Sequence, residues 1–452
     1  MSTTPRETAP SATTPRRAGT RKVVRTMRHD PNDRPFLVIW EVTRACALVC
    51  QHCRADSQDE FHPHQLTTAQ GLDLLDQMAA FGAPSPMVVL SGGDAFERDD
   101  LEELIAYGKD VGLSMSLAPS VTPKGTPQRY ASVAEAGVRA VSISLDGASA
   151  ATHDGFRGVE GVYDATAPTC RTIVDLGMRL QINTTVTADN LFELPEVFER
   201  VLDLDAFLWS VFFLVPTGRG DALTPVDATV VEDVLHWLVD VARYHAVKTT
   251  EAPHFRRVML QRQKAGDVDA AEHFGLGPTY RRLRTHLLRI VAERELPVRT
   301  PRPPLDINAG RGFVFIDHVG TVYPSGFLPL PGGSVKERPL TELYRTSPVF
   351  TQLRDPDLLT GRCGSCEYRT VCGGSRSRAF AMAGDHLAEE PHCAYEPRGG
   401  QLVRVEAPRG SGHPMAGPPG SGHPGGGHPG GGLPGGGLPG GGHPGGGASQ
   451  SA

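Results

Sequence analysis

The stretch Cys46-Ala47-Leu48-Val49-Cys50-Gln51-His52-Cys53 places three thiols within eight residues, soon after the apolar run Phe36-Leu37-Val38-Ile39-Trp40. Cysteine thiolates are the soft ligands that the irons of a 4Fe-4S cluster prefer. Three thiolates leave one iron of such a cube open, and an open iron can chelate an amine and a carboxylate together. The octet therefore predicts an iron-sulfur cluster with one free coordination position.

The same cysteine spacing has a second interpretation, because positions i, i+4 and i+7 lie on one face of a helix. Three buried helical cysteines would show this pattern without binding a cluster. However, Ala47, Leu48 and Val49 place apolar side chains on the other faces too, so the octet has no amphipathic stripe. A loop after a strand is therefore favoured.

Length and composition bound the class of protein. The chain has 452 residues, more than one domain of roughly 150 residues. A formal net charge of −6 with both signs mixed gives no reason to expect a nucleic-acid or membrane partner. Residues 1–35 show no apolar signal core, so we expect a cytoplasmic protein. There, cysteines clustered at short spacing are more often ligands than disulfides.

Apolar runs alternate with helix-length segments between residues 36 and 218, which is typical of β-α units around a parallel sheet. The predicted strands are Phe36–Val42, Met87–Leu90, Leu113–Leu117, Ala140–Leu145, Leu180–Val186 and Trp209–Val215. The predicted helices are Thr67–Phe81, Leu101–Val111, Pro127–Ala136, Ala165–Leu176 and Leu194–Leu204. This α/β pattern fits an incomplete (β/α)6 TIM-type barrel, followed by a small cysteine-rich domain that would hold an auxiliary cluster. Such barrels place chemistry at the carboxyl ends of their strands.

The predicted segments are a disordered arm (1–34), the barrel core (35–220), a helical extension (221–310), the cysteine-rich domain (311–397) and a disordered tail (398–452). The arm is rich in Thr, Pro and Arg, and the tail repeats Gly, Pro and His. Neither composition can bury enough apolar surface to fold. Within the cysteine-rich domain, Gly312–Ile316 and Thr321–Tyr323 are predicted to form a hairpin.

A second cysteine set comprises Cys363, Cys366, Cys372 and Cys393. Four thiolates close a site completely, and by spacing alone a structural zinc fits nearly as well as a fully ligated 4Fe-4S cluster. The first set favours iron and sulfur here, because a cluster with an open iron needs electrons that a second cluster can relay. The remaining thiol, Cys170, is predicted to pack in the core.

Taken in order, these motifs resemble the radical S-adenosylmethionine (SAM) superfamily, in its branch with a SPASM or Twitch-type auxiliary-cluster domain. The resemblance rests on both cysteine sets, Ser91-Gly92-Gly93-Asp94 and Ser144-Leu145-Asp146-Gly147. The stretches 40–46, 52–54 and 213–216 are similar to members related to alternative haem biosynthesis decarboxylases. The resemblance implies an enzyme that reductively cleaves SAM to a 5′-deoxyadenosyl radical, which abstracts hydrogen from a substrate carbon.

The resemblance also implies roles for individual residues. The first three cysteines would hold the SAM-binding 4Fe-4S cluster, and the later four would hold an auxiliary 4Fe-4S cluster. The implied SAM contacts are His52 beside adenine, Gly92, Gly93 and Asp94 at the amine, Ser144 at the ribose, Arg157 at the carboxylate, and Asp146 and Asn183 as further polar contacts. Ser144 would equally suit a helix cap, and Asp146 a turn.

Three functions stay open at this point. A tetrapyrrole that loses propionate carboxyls would need arginines, and Arg219, Arg256 and Arg257 are the candidates. A ribosomally made peptide is the second substrate class. A non-catalytic iron-sulfur or zinc protein is the third hypothesis, but it would leave the SAM motifs unexplained. An enzyme would also need a one-electron donor such as flavodoxin or ferredoxin.

Overall fold

The computed structural model of the protein describes residues 24–27 and 29–404. Its strands are β1 (Leu37–Glu41), β2 (Met87–Ser91), β3 (Ser114–Leu117), β4 (Ala140–Ser144), β5 (Arg179–Val186), β6 (Leu208–Phe213), β7 (Val247–Thr250), β8 (Phe313–Ile316), β9 (Thr321–Tyr323) and β10 (Gly333–Ser334). They form one sheet in the order β10-β9-β8-β1-β2-β3-β4-β5-β6-β7. Strands β8 and β1 to β7 run parallel, whereas β9 and β10 are antiparallel to their neighbours.

The helices pack around this sheet. They are α1 (Thr68–Ala79), α2 (Leu101–Asp110), α3 (Pro127–Ala136), α4 (Ala150–Arg157), α5 (Val162–Asp175), α6 (Leu194–Asp203), α7 (Ala228–Val241), α8 (Phe255–Ala265), α9 (Ala270–His273), α10 (Pro278–Glu293), α11 (Leu340–Thr346), α12 (Pro348–Arg354), α13 (Gly361–Ser365) and α14 (Arg376–Ala383). Local sequence explains several starts: Thr67 and Gln70 form a capping box before α1, and Pro127 follows the Thr126 cap of α3. None of the helices in the described ranges is long and apolar enough to cross a membrane.

The predicted α/β barrel is confirmed, with all six predicted strands and all five predicted helices present. The parallel run is longer than predicted, because β7 and β8 extend it to eight strands. Strand β7 lies in the segment predicted to be mostly helical. It spans only four residues, Val247–Thr250, so it is too short to show an alternating pattern in the sequence. No pairing joins β7 to β8 or β10 among the described residues, so the barrel stays open there.

The predicted hairpin of the cysteine-rich segment is confirmed as β8 and β9, but it continues the barrel sheet through the pairing of β8 with β1. The domain boundaries stay a prediction. Part of the arm predicted to be disordered packs on the barrel: Val24 is buried, and the Arg25 amide donates to the Pro304 carbonyl over 2.8 Å. Residues 1–23 of the arm and 405–452 of the tail lie outside the described residues.

Candidate active site

The first cysteine set lies in a loop after β1, and residues 42–66 contain no helix. The neck of this loop is closed by two backbone hydrogen bonds, from the Cys46 amide to the Gln58 carbonyl at 2.8 Å and from the Gln58 amide to the Arg44 carbonyl at 3.1 Å. Cys46 and Cys50 are buried and Cys53 is half-buried. The loop interpretation of the octet is therefore confirmed over the helical one.

Gly92 and Gly93 follow β2 and pack directly on the backbone of the cysteine loop. A Cβ atom on Gly93 would lie 2.4 Å from the Ala45 carbonyl oxygen, and one on Gly92 would lie 2.6 Å from that of Thr43. The Gly93 amide donates to the Thr43 carbonyl at 2.8 Å. Any side chain here would push the loop away. The need for glycine comes from close approach, since neither residue has a positive φ.

Asp94 points into the protein rather than toward open space, and it is fully buried. Its Oδ1 accepts the Phe96 amide at 3.1 Å and the Ser120 amide at 3.2 Å, and its Oδ2 accepts the Thr122 hydroxyl at 2.6 Å. Burial raises the pKa of this carboxyl. The side chain thus braces the loop after β3, and the predicted contact between Asp94 and the SAM amine stays a prediction.

Helix α4, which the sequence-based assignment missed, brings Arg157 to the cysteine loop. Arg157 Nη1 lies 3.8 Å from the Cys50 sulfur, and its Nη2 forms a buried ion pair with Asp146. The Thr185 amide donates to the other Asp146 oxygen at 2.7 Å. Burial raises the pKa of Asp146, and the Arg157 charge opposes that rise. A cation is thereby held beside a predicted cluster ligand.

His52 stacks on Phe156 of α4, with ring centroids 4.4 Å apart. The Gln51 amide donates to the Phe156 carbonyl at 2.9 Å, which fastens the cysteine loop to the helix. Burial lowers the pKa of His52 well below its ordinary value, so this imidazole is neutral. Its predicted role beside adenine stays a prediction.

A cleft of about 240 Å³ lies beside the cysteine loop. It is lined by Leu48, Pro119, Ser120, Val121, Ser144, Arg157 and Val162. Of the predicted SAM contacts it brings together Ser144 and Arg157. Asn183 lies next to Ser144 in the register of β5 and β4, and its Oδ1 accepts from Gln181 at 2.7 Å. Ser120 was missed from sequence, since it follows β3 without a motif. The cleft places a cation and hydroxyl groups next to the cysteine loop, and its use as the SAM site stays a prediction.

Arg219 clasps the cysteine loop from the other side. Its Nε donates to the Cys50 carbonyl at 3.0 Å, and its Nη groups reach the Ser57 carbonyl at 3.3 Å and hydroxyl at 3.2 Å. Gly218 approaches so closely that a Cβ atom there would lie 2.5 Å from the Cys53 carbonyl oxygen. Arg219 therefore positions the loop, and its predicted role as a substrate-carboxylate ligand stays a prediction.

All four cysteines of the second set line one cleft of about 440 Å³. Backbone amides of Glu390, Tyr368 and Gly374 donate to the sulfurs of Cys363, Cys366 and Cys372 at 3.3, 3.4 and 3.4 Å. Burial raises the pKa of Cys372 to about 12 and that of Cys393 to about 11. Such thiols keep their protons at neutral pH and release them when a metal ion binds.

The other two predicted carboxylate ligands also have protein partners. Arg256 donates to the Val371 carbonyl at 2.6 Å and to the Cys372 carbonyl at 3.1 Å. Arg257 forms a two-pronged pair with Glu232 at 2.8 and 2.6 Å. Both guanidinium groups therefore contact protein acceptors, at the second cysteine site for Arg256 and at Glu232 for Arg257, and their proposed role toward a substrate carboxylate stays a prediction.

The donor set of the second site fits a cluster better than one zinc ion. Within residues 24–27 and 29–404, no three His, Cys, Asp or Glu side chains are arranged to hold a single metal ion. A single tetrahedral zinc needs its four sulfurs within about 2.3 Å of one point. Four thiols around a shared cleft suit a larger group. Cys170, by contrast, is fully buried in the core, as predicted.

Comparison with known proteins places the chain in a family. The profile of the radical SAM superfamily matches residues 40–201. The AdoMet-dependent heme synthase of Nitratidesulfovibrio vulgaris is 39% identical over 367 residues, covering 80% of this chain and 93% of that protein. The pre-heme d1 synthase of Dinoroseobacter shibae is 33% identical over 364 residues, covering 79% and 85%. The PqqA peptide cyclase of Rhodopseudomonas palustris is 27% identical over 390 residues, covering 84% and 92%.

Solved structures share the fold. Streptococcus suis SuiB bound to S-adenosylmethionine superposes with a TM-score of 0.58 at 13% identity, covering 80% of this chain and 78% of that one. Native anSMEcpe with bound AdoMet gives a TM-score of 0.55 at 14% identity, covering 79% and 94%. The 39% identity to a heme synthase over most of both chains sets aside the hypothesis of a non-catalytic protein. The chain belongs to the radical SAM superfamily, and it is an enzyme with S-adenosylmethionine and a 4Fe-4S cluster as its cofactors.

Proposed function

We propose that this enzyme modifies an iron-containing or metal-free tetrapyrrole by oxidative decarboxylation of propionate side chains. The observation that carries the proposal is the 39% identity to an AdoMet-dependent heme synthase across 93% of that protein's length. A match over 367 residues is longer than the barrel core alone. The cysteine loop, Arg157 and the adjoining cleft support SAM binding at the barrel mouth.

When bound, the cluster and SAM supply a reductive cleavage of the carbon-sulfur bond, which yields a carbon radical strong enough to take hydrogen from an alkyl chain. In the proposed reaction, the propionate would lose one hydrogen atom from its alkyl chain. The bond to the carboxyl carbon then breaks and carbon dioxide leaves. A vinyl group forms once one electron has passed to an acceptor. The reaction therefore requires an electron acceptor within the protein.

The chain's own residues would hold these groups in place. Cys46, Cys50 and Cys53 would ligate the open-iron cluster, with Arg157 beside Cys50 to neutralise negative charge. The predicted SAM contacts would line the cleft, with Ser144 toward the ribose. The cysteines of the second site would hold the electron acceptor. Burial of Cys46 and Cys50 would limit the access of water to the radical reaction.

Electron supply and location are part of the proposal. A flavodoxin or ferredoxin would deliver single electrons to the first site. The cytoplasm is the proposed compartment, since none of the eight cysteines forms a disulfide.

A peptide substrate is the second candidate function, favoured by the 27% identity to a PqqA peptide cyclase over 84% of this chain.

The test is turnover by anaerobically reconstituted protein with SAM, a one-electron reductant and iron coproporphyrin. We expect 5′-deoxyadenosine and a porphyrin whose mass has fallen by one formic acid equivalent for each propionate converted. A Cys50→Ala variant serves as the control and should make neither product. Formation of 5′-deoxyadenosine with no change in any porphyrin offered would contradict the tetrapyrrole proposal and favour a peptide substrate.

A further inference from the structure

Lys248 lies on the inner face of the barrel. On the neighbouring strand, Trp209 packs outward against Trp237 of α7, with ring centroids 6.0 Å apart. Successive side chains of a strand point to opposite faces, so Ser210 points inward. The register pairs Lys248 with Ser210, and a 3.5 Å contact joins Ser210 Oγ to Thr250 Oγ1, the next inward side chain of β7.

One row of paired residues connects Lys248 to the predicted SAM contacts. Ser144 pairs with Asn183, Asn183 with Ser210, and Ser210 with Lys248. Three strand spacings of about 4.8 Å place the backbones of Ser144 and Lys248 roughly 14 Å apart along the sheet. Ser144, Asn183 and Lys248 are each only partly buried, although they lie inside the barrel. The inner face therefore leaves room beside this row.

No acidic group neutralises Lys248. In the part of the chain that the structure describes, its ammonium group forms neither a hydrogen bond nor an ion pair. The charged neighbour that acts on it is another cation, Arg302, which in turn lies near Arg25 and Arg179. Burial, with a contribution from Arg302, lowers the pKa of Lys248 to about 8. Lys248 and these three exposed arginines place an excess of positive charge around the start of β7, which a bound anion would relieve.

We propose that Lys248 binds a carboxylate of the substrate on the inner face of the barrel, with the nearby exposed Arg302 adding to the positive charge; this inference rests on the tetrapyrrole function proposed above. The arginines expected from sequence for this task are bonded to protein acceptors, whereas Lys248 has no partner. An ammonium group is a compact point charge that suits a single carboxylate. A polycarboxylate anchored at β7 would extend across the barrel toward the cysteine loop.

Binding of coproporphyrin and of its fully esterified methyl ester to the reconstituted protein tests this inference by fluorescence titration. We expect Lys248→Met to weaken coproporphyrin binding roughly tenfold, and Lys248→Arg to restore most of the loss. The ester, which lacks the negative charges, should bind both the wild-type protein and the Lys248→Met variant equally weakly. Lys264→Met, an exposed lysine in the last turn of α8, is the matched control.

Equal affinity of the wild-type protein and Lys248→Met for coproporphyrin would overturn the inference while leaving the proposed function intact. Wild-type protein that binds no coproporphyrin at all would instead overturn the proposed function on which it rests. If circular dichroism shows that Lys248→Met does not fold, the same coproporphyrin titration is carried out with the Arg302→Gln variant. That exposed residue should tolerate substitution, and we expect roughly threefold weaker binding, with unchanged binding overturning the inference.

Discussion

The two cysteine sites are built in opposite ways. The first is contiguous, with three thiols in eight residues, and it is held by loops that arrive after β2, β4 and β6. The second spreads four thiols over residues 363–393, and its sulfurs receive amides from the same segment. A site that must bind a small molecule depends on the whole barrel mouth. A site with four protein ligands takes its thiols and its sulfur-bound amides from one segment, although Arg256 of α8 also donates to the Cys372 carbonyl.

One buried residue connects the two regions. Arg378 of α14 donates to the Phe213 and Leu214 carbonyls at 3.1 Å each, just after β6. It also pairs with Glu390 at 2.9 Å, and both side chains are almost fully buried. The second site is thereby attached to the edge of the barrel where the first site lies. Substitutions at either site, or in the contact between them, should therefore have distinguishable effects.

Removing one thiol from each site should give the largest and most distinct effects. Cys50→Ala should abolish 5′-deoxyadenosine formation, because the first cluster loses a ligand. Cys372→Ala should keep that reaction but lose substrate turnover, because only the acceptor site is broken. Product analysis by chromatography and iron determination check both variants, and each should bind about four fewer irons than the wild-type protein. Loss of SAM cleavage in Cys372→Ala would show that the sites are not separable.

Breaking the buried pair between the sites should have the next largest effect. Arg378→Met leaves Glu390 buried without its partner, which costs about 3 to 5 kcal/mol in the free energy of unfolding. Chemical denaturation measures that loss. Arg338→Met is the control, since its pair with Glu342 is exposed on α11 and contributes at most about 1 kcal/mol. Similar losses in both variants would rule out a special role for the buried pair.

Because Gly93 lies so close to the cysteine loop, substituting it should disturb mainly the first site. Gly93→Ala puts a methyl group 2.4 Å from the Ala45 carbonyl oxygen, and we expect a loss of about 1 to 3 kcal/mol in stability. SAM cleavage should fall, while the second site keeps its iron. Gly155→Ala in α4 is the control, because a Cβ atom there meets nothing within 4 Å. It should be neutral or slightly stabilising.

The smallest effect is expected when the hydrogen bonds from Arg219 to the cysteine loop are removed. Arg219→Met removes donors from partly exposed acceptors, which should cost about 1 kcal/mol. Iron should then leave the first site faster than the second when a chelator is added, as followed by absorbance. Arg243→Met, at an exposed position after α7, should leave the release rate unchanged. Equal acceleration at both sites would contradict a local role for Arg219.

Much of the barrel could be predicted because its information is local. Alternation of apolar runs and amphipathic segments located six strands and five helices. Both cysteine sets were visible because ligand spacing within a loop is a sequence property. Strand β7 and helix α4 were missed, since each is short and is stabilised by its neighbours rather than by its own pattern.

By itself, the sequence determined which residues could ligate metal and which strand ends would meet at the barrel mouth. Only the tertiary structure decided what each polar side chain bonds to. It turned Asp94 inward, assigned Arg219, Arg256 and Arg257 to protein acceptors, and left Lys248 without a partner. The physical reason is that ligand spacing is set along the chain, whereas the partners of a charge are set by distant segments that packing brings together.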